Sequence, residues 1–313
     1  MSFKIEKISN KYGSVDVVMY DEQQKSTLSI LSIGACINSW KIGGNLPKNE
    51  VIDGYKDAED VVQNVTQAFK GSKLSPYVCR LHLGRYQYNE QVYKIGGFYL
   101  QEHAIHGLLF SKFFILENAF ADKDKAVAIF LYNYKALDDG YPFSYSVEVT
   151  YTLQNNNLLT ITTTVKNTCN TTIPISDGWH PYFKLNDECI DAYMLHFDST
   201  KQLAFDTALI PTKELIKDDR FYNGTTLKNI QLDNCFLLEK NGICRLESND
   251  RVLTITPIKN YPYLQVYTPP HRQSIAIENL SSAPDAFNNG MGKIVLAPSN
   301  EETFITSYQV TVK

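Results

Sequence analysis

The chain has 313 residues, and its 30 Lys and Arg against 34 Asp and Glu give a formal net charge of −4 at pH 7. The two signs are interspersed along the chain, which excludes a basic, phosphate-tracking surface and argues against nucleic acid as a partner. No apolar run reaches the roughly 18–20 residues of a membrane span. The opening MSFKIEKISNKYGSVDVV lacks the charged, apolar and small-residue sections of a secretion signal, so a cytoplasmic location without membrane contact is expected.

Period-two alternation of β-branched and aromatic residues dominates the chain from residue 14 onward. It predicts strands over SVDVVMY (14–20), TLSILSI (27–33), AVAIFLYNY (126–134), SYSVEVTYTL (144–153) and LLTITTTVKN (158–167). The pattern resumes in RVLTITPI (251–258), YLQVYT (263–268), SIAIEN (274–279), KIVLAP (293–298) and TFITSYQVTV (303–312). Asp138 to Pro142 reads as a turn, and Asn155-Asn156-Asn157 as the link of a hairpin. One helix is expected over 57–71, with Val61, Val65, Ala68 and Phe69 on one face and a stop at Gly71. No linker, charge block or fixed-period repeat divides the chain, so a single all-β domain over 1–313, with at most a few short helices, is the expected architecture. Two packed sheets would protect the edges of so many strands.

The six cysteines, Cys36, Cys79, Cys169, Cys189, Cys235 and Cys244, contain no C-x-x-C pair. Reduced thiols are expected, with neither a metal site nor a cofactor.

Several polar residues stand in settings that suit chemistry, and each also has an ordinary structural reading. His180 lies in Ile175-Ser176-Asp177-Gly178-Trp179-His180-Pro181-Tyr182-Phe183. Asp177-Gly178 reads as a turn there, and Pro181 restricts His180 to extended backbone. A rigid imidazole among aromatic rings suits a general acid or base, while a core histidine bonded to a carbonyl fits equally. His106 precedes Gly107 in a loop where backbone can approach a ligand closely. Glu278 ends the run from Ser274, and alternation sets Ser274 and Ala276 beside it, leaving space around a carboxylate whose partial burial would raise its pKa. A solvated strand-end Glu is the alternative. Arg80 has apolar neighbours and so needs a buried acceptor. Asp233 and Gln265 are flanked by apolar residues and are either site groups or outward strand positions.

Together these segments resemble the aldose 1-epimerase (galactose mutarotase) family from roughly residue 30 onward. Cys79-Arg80-Leu81-His82-Leu83-Gly84 is similar to the family's N-R-I-x-x-G stretch, and Ile105-His106-Gly107 to its L-H-G. His180-Pro181-Tyr182-Phe183-Lys184-Leu185 matches H-x-Y-F-x-L, and Asp233-Asn234-Cys235-Phe236 resembles D-x-x-F. Leu264 to Thr268 is identical to the family's L-Q-V-Y-T, and Glu278 to Asn288 resembles its E-x-x-x-x-x-P-D-A-x-N. Cys79 departs from the usual Asn, Leu108 from a frequent second Gly, and the Gly-Trp-His-Pro-Tyr-Phe form belongs to a divergent, bacterial-looking branch.

The resemblance implies a large antiparallel β-supersandwich with an open sugar groove, and interconversion of the α and β anomers of a free aldohexose. Glu278 would take the proton from the anomeric hydroxyl, His180 as imidazolium would protonate the ring oxygen, and His106 would share the acid's work. Arg80 would stabilise negative charge, Asp233 and Gln265 would hold hydroxyls, Cys79 would stand where the family contacts sugar, and Tyr182 and Trp179 would supply walls. The expected pKa logic is an imidazolium favoured by the carboxylate and a carboxylate kept ionised beside Arg80. A small aldose is then the partner of a monomer or weak homodimer. A hexose-6-phosphate mutarotase, a glycoside hydrolase using Asp233 with Glu278, and a non-catalytic carbohydrate-binding protein are the other readings.

Overall fold

In the computed structural model, which describes residues 2–239 and 242–313, every paired strand run is antiparallel and most turns fall where the sequence places them. The strands Ile115–Ala121, Lys125–Tyr134, Tyr145–Gln154 and Leu158–Asn167 form a meander, extended through Glu301–Val312 and Arg251–Lys259 into a nine-stranded sheet. Asn156 and Asn157 take left-handed backbone at the tip of the expected hairpin, a conformation Asn tolerates. Tyr141 N–H donates to Asp138 O at 2.8 Å and closes the other expected turn.

The second large sheet has eight strands. Its order runs Pro211–Lys217, Lys201–Phe205, Asp233–Leu237, Tyr263–Tyr267, Ile275–Leu280, Gly178–His180 and Ser72–Leu74, with Tyr182–Phe183 also pairing on Ile275–Leu280. Its inner face meets the nine-stranded sheet through large aromatics. Tyr151 packs edge-on to Trp179 with ring centroids 6.0 Å apart, and Phe183 to Tyr308 at 5.4 Å. A four-stranded N-terminal sheet, Phe3–Ser9 to Cys36–Lys41, completes the core. The structure is thus all-β, as expected.

Three details differ from the expectations. The helix spans Ala58–Ala68 and is capped by Asp57, which accepts from Asp60 N–H, but it stops at a left-handed Phe69, two residues before Gly71. Asp177-Gly178 is not a turn: Gly178 is strand, pairing with both Leu74 and Leu280. Its missing Cβ serves packing, since a Cβ there would lie 2.7 Å from the Leu280 side chain. The strand read as 293–298 is limited to Ile294–Leu296, paired with Ile173–Ile175. Among the described residues no helix is long and apolar enough to cross a membrane.

Between the two large sheets lies a fully buried ion pair. Lys73 Nζ approaches Asp177 Oδ1 at 2.5 Å, and neither side chain has solvent exposure. Burial draws the Lys73 ammonium down to about 8 against the pull of Asp177. Removing one partner strands the other charge in the core. Lys73→Met alone is therefore expected to cost about 3–5 kcal/mol, read from urea denaturation as a lower midpoint with unchanged slope; a loss under about 1 kcal/mol would show that the pair is not buried in solution.

Candidate active site

Antiparallel register arranges the polar residues of the eight-stranded sheet in one cross-strand row. Cys235 pairs with Gln265, Gln265 with Glu278, and His180 with Ser72. Gly178 pairs with Leu280, so two residues further on the same register sets His180 beside Glu278. Side chains directly opposite one another on adjacent strands share a face and come within contact. His180 Nε2 accordingly lies 3.4 Å from Glu278 Oε1.

Neighbouring rows supply the rest. Asp233, two positions from Cys235 on the same face, accepts from Gln265 Nε2 at 2.7 Å. Ala276 pairs with both Tyr182 and Tyr267 and leaves room for the two rings. Tyr182 stacks on His180 with centroids 5.2 Å apart and planes 14° from parallel. His106 comes from outside this sheet. It adopts a left-handed φ of 62° and donates its N–H to Cys79 O at 2.9 Å. At Gly107 a Cβ would sit 2.3 Å from Ser75 O, so only glycine lets the loop lie so close. The His106 ring meets His180 edge-on at 4.9 Å and rests against Phe69 at 4.6 Å.

These groups surround a cavity of about 220 Å³, a space suited to one small ring-shaped ligand. Of the nine residues singled out from the sequence, all but Trp179 line it. Alternation explains the exception. Trp179 precedes His180 and so points to the opposite face, into the core against Tyr151. Glu278 is not at a strand end either; it sits inside Ile275–Leu280 and is 2% exposed. Ser274 does not open the space beside it, because its hydroxyl is bonded to Asp53 Oδ2 at 2.6 Å.

Sequence reasoning missed other lining residues. Thr66, Gln67 and Ala68 close one side from the end of the helix, and Leu100, Phe205, Leu209 and Pro284 form an apolar rim. Tyr267 was readable, since it alternates with Gln265 on one strand. The rim comes from the ends of two strands, Leu100 and Phe205, and from loops at Leu209 and Pro284, whose placement depends on the tertiary fold.

Burial sets the electrostatics. It pushes the Glu278 carboxyl well above its ordinary value, and the nearby Asp233 charge adds to the rise. The same desolvation lowers His180 to about 4 and His106 well below the usual imidazole range. Asp233 is raised by burial against the pull of Arg80 and the Gln265 amide. Both shifts run against the expected imidazolium and ionised carboxylate: burial favours the neutral form of Glu278 and of His180 alike. Arg80 acts on Asp233 rather than on Glu278. The Cys79 thiol is pushed up by burial and stays neutral. Glu278 Oε2, Gln265 Oε1 and His106 Nδ1 are buried without a hydrogen-bond partner. Unpartnered polar atoms converging on one cavity are what a hydroxyl-rich ligand satisfies. Among the described residues no group of three or more His, Cys, Asp or Glu is arranged to hold a metal ion.

The family model for aldose 1-epimerase matches residues 16–309. The chain belongs to the aldose 1-epimerase family. It is 27% identical over 239 residues to the uncharacterized protein YihR of Escherichia coli, covering 73% of this chain and 75% of that protein. Its fold superposes on a galactose mutarotase-like protein from Clostridium acetobutylicum with a TM-score of 0.84 at 16% identity, over 100% of this chain and 99% of the other. Galactose 1-epimerase from Lactobacillus acidophilus gives 0.84 at 17% identity, over 99% and 98%. At these identities the solved structures establish the galactose mutarotase fold and nothing finer.

The His180 shift has a consequence for stability. In the unfolded chain this imidazole gains its proton near 6.5, but in the native state only at about 4. As pH falls between those values the unfolded state binds more protons, and the native state loses ground. Urea midpoints measured across this window are expected to fall faster for the wild type than for His180→Asn; parallel profiles would contradict the burial of a neutral His180.

Proposed function

We propose that this aldose 1-epimerase family member interconverts the α and β anomers of a free aldohexose. The observation that carries the reading is the His180–Glu278 pair at 3.4 Å, opening on a cavity with unpartnered acceptors. Ring opening of a hemiacetal removes a proton from the anomeric hydroxyl and delivers one to the ring oxygen, so a pair holding one proton is sufficient.

In this mechanism the anomeric hydroxyl bonds to Glu278 Oε2. Hydrogen bonds to the charged form favour ionisation, so sugar hydroxyls draw the Glu278 pKa down and the proton passes to His180. Glu278 then accepts the proton of the C1 hydroxyl while His180 donates to the ring oxygen. Rotation about C1–C2 in the open aldehyde exposes the other face, and closure reverses the transfers. His106 bonds near the ring oxygen, Arg80 faces developing charge, and the Asp233–Gln265 pair fixes ring hydroxyls. Tyr182 offers an aromatic face to the C–H side of the ring.

Two features support an uncharged sugar acting through this chemistry. Among the described residues lining the cavity Arg80 is the one permanently cationic side chain, set against Asp233 and Glu278; a phosphate would need more. Arg251 and Arg272 are spent elsewhere, the first on Leu185 O and Asn49, the second on Asp191. Asp233 is engaged by the Gln265 amide, which suits holding a hydroxyl better than acting as the second carboxyl of a glycosidase.

Polarimetry on fresh α-D-glucose and α-D-galactose tests the proposal. The wild type is expected to speed the decay of optical rotation, with less effect on the corresponding 6-phosphates. Glu278→Gln and His180→Asn are each expected to lower kcat by roughly 10²–10⁴-fold. Full rates in both variants, or a wild type with no effect on any aldose, would reject it.

A further inference from the structure

We infer that Lys73 and Asp177, on the core face behind the cavity, are positioning residues for His180; the inference rests on the mutarotase reading. Neither touches the cavity. Lys73 stands directly opposite Trp179 in the strand pairing, so its side chain projects away from the face that carries His180.

The pair is organised around the backbone that leads into His180. Lys73 Nζ donates to Asp177 Oδ1 at 2.5 Å, to Gly178 O at 3.2 Å and to Thr163 Oγ1 of the facing sheet at 3.3 Å. The same ammonium lies 4.2 Å from the Trp179 ring centroid. Tyr261 Oη donates to Asp177 Oδ1 at 2.6 Å. Asp177 N–H donates to Ser281 Oγ at 2.8 Å, and Ser281 N–H returns to Asp177 O at 2.8 Å. Residues 177, 178 and 179 are each gripped by a directional contact immediately before His180.

Apolar side chains would fill this space at lower electrostatic cost, since a buried ion pair is often no better than its hydrophobic replacement. Apolar packing, however, is non-directional and would let the short strand Gly178–His180 settle along its axis. The backbone ladder alone does not prevent this: Gly178 is the one residue of this strand in register with Ile275–Leu280, and its three pairings with Ser72–Leu74 join it to the strand that carries Lys73, so the two strands would settle together unless the ammonium is held from the facing sheet. Reacting groups must be held to about 0.5 Å, and a misplacement of about 1 Å can cost on the order of 10²-fold in rate. The ammonium, by bonding Gly178 O and Thr163 at once, fixes where His180 stands relative to Glu278.

The test is the double variant Lys73→Met/Asp177→Leu, which leaves no stranded charge. It is expected to fold with a urea midpoint near that of the wild type, to lower kcat about tenfold or more, and to leave KM within about twofold because the sugar contacts are intact. Made in a His180→Asn background, the same two changes should cost almost nothing further, since the group they position is gone. If the double variant fails to fold, Thr163→Val removes one anchor alone and should show a smaller kcat loss with the same dependence on His180. An unchanged kcat, or an equal loss with and without His180, would overturn the inference. A wild type that does not accelerate mutarotation would instead defeat the functional reading and take this inference down with it.

Discussion

Cross-strand register holds the site together. One antiparallel row carries Cys235, Gln265, Glu278 and His180 across four adjacent strands. Because side chains alternate with period two, a slip of one residue in any of these strands would turn its polar group into the core and bring an apolar one to the cavity. Ile275 and Ile277 are fully buried on the face opposite Glu278, and their burial opposes such a slip. The apolar half of each strand thereby fixes the position of the polar half.

That arrangement places ionisable groups where water cannot reach them. Glu278 and His180 are both almost fully buried, and the same desolvation moves their proton affinities in opposite directions. Burial thus favours the neutral form of both groups, and in the proposed mechanism sugar hydroxyls shift the balance toward the carboxylate and imidazolium. Such a site is poorly solvated by itself and well matched to a ligand rich in hydroxyls. The low dielectric that makes the pair costly also strengthens each hydrogen bond a ligand forms there.

Much of this was legible in the sequence because strands report themselves by alternation. The runs 144–153, 158–167, 263–268 and 274–279 lie within one or two residues of the observed strands; alternation set Glu278 on one face with Ser274 and Ala276, while Gln265 was left as either a site group or an outward strand position. What was not legible depends on neighbours distant in sequence. Trp179 looks like a sugar platform beside His180, yet the parity of one strand sends it to the core. Asp177-Gly178 has the composition of a turn, but Leu280 and Val78 occupy the space a Cβ would need, so packing explains the glycine. The pKa logic differed for a similar reason: Arg80 was expected to keep Glu278 ionised, whereas its charge is felt at Asp233 and burial dominates at Glu278. Lys73 carried no signal at all, since its partner lies 104 positions away.

If Glu278 and His180 address the two oxygens of one hemiacetal, a crystal of the protein soaked with an aldohexose will show it. The expected result is a single pyranose in the cavity, its anomeric hydroxyl within about 2.6–3.2 Å of the Glu278 carboxyl and its ring oxygen equally close to His180 Nε2. A sugar bound with C1 turned away from both side chains, or seated outside this cavity, would contradict that division of labour.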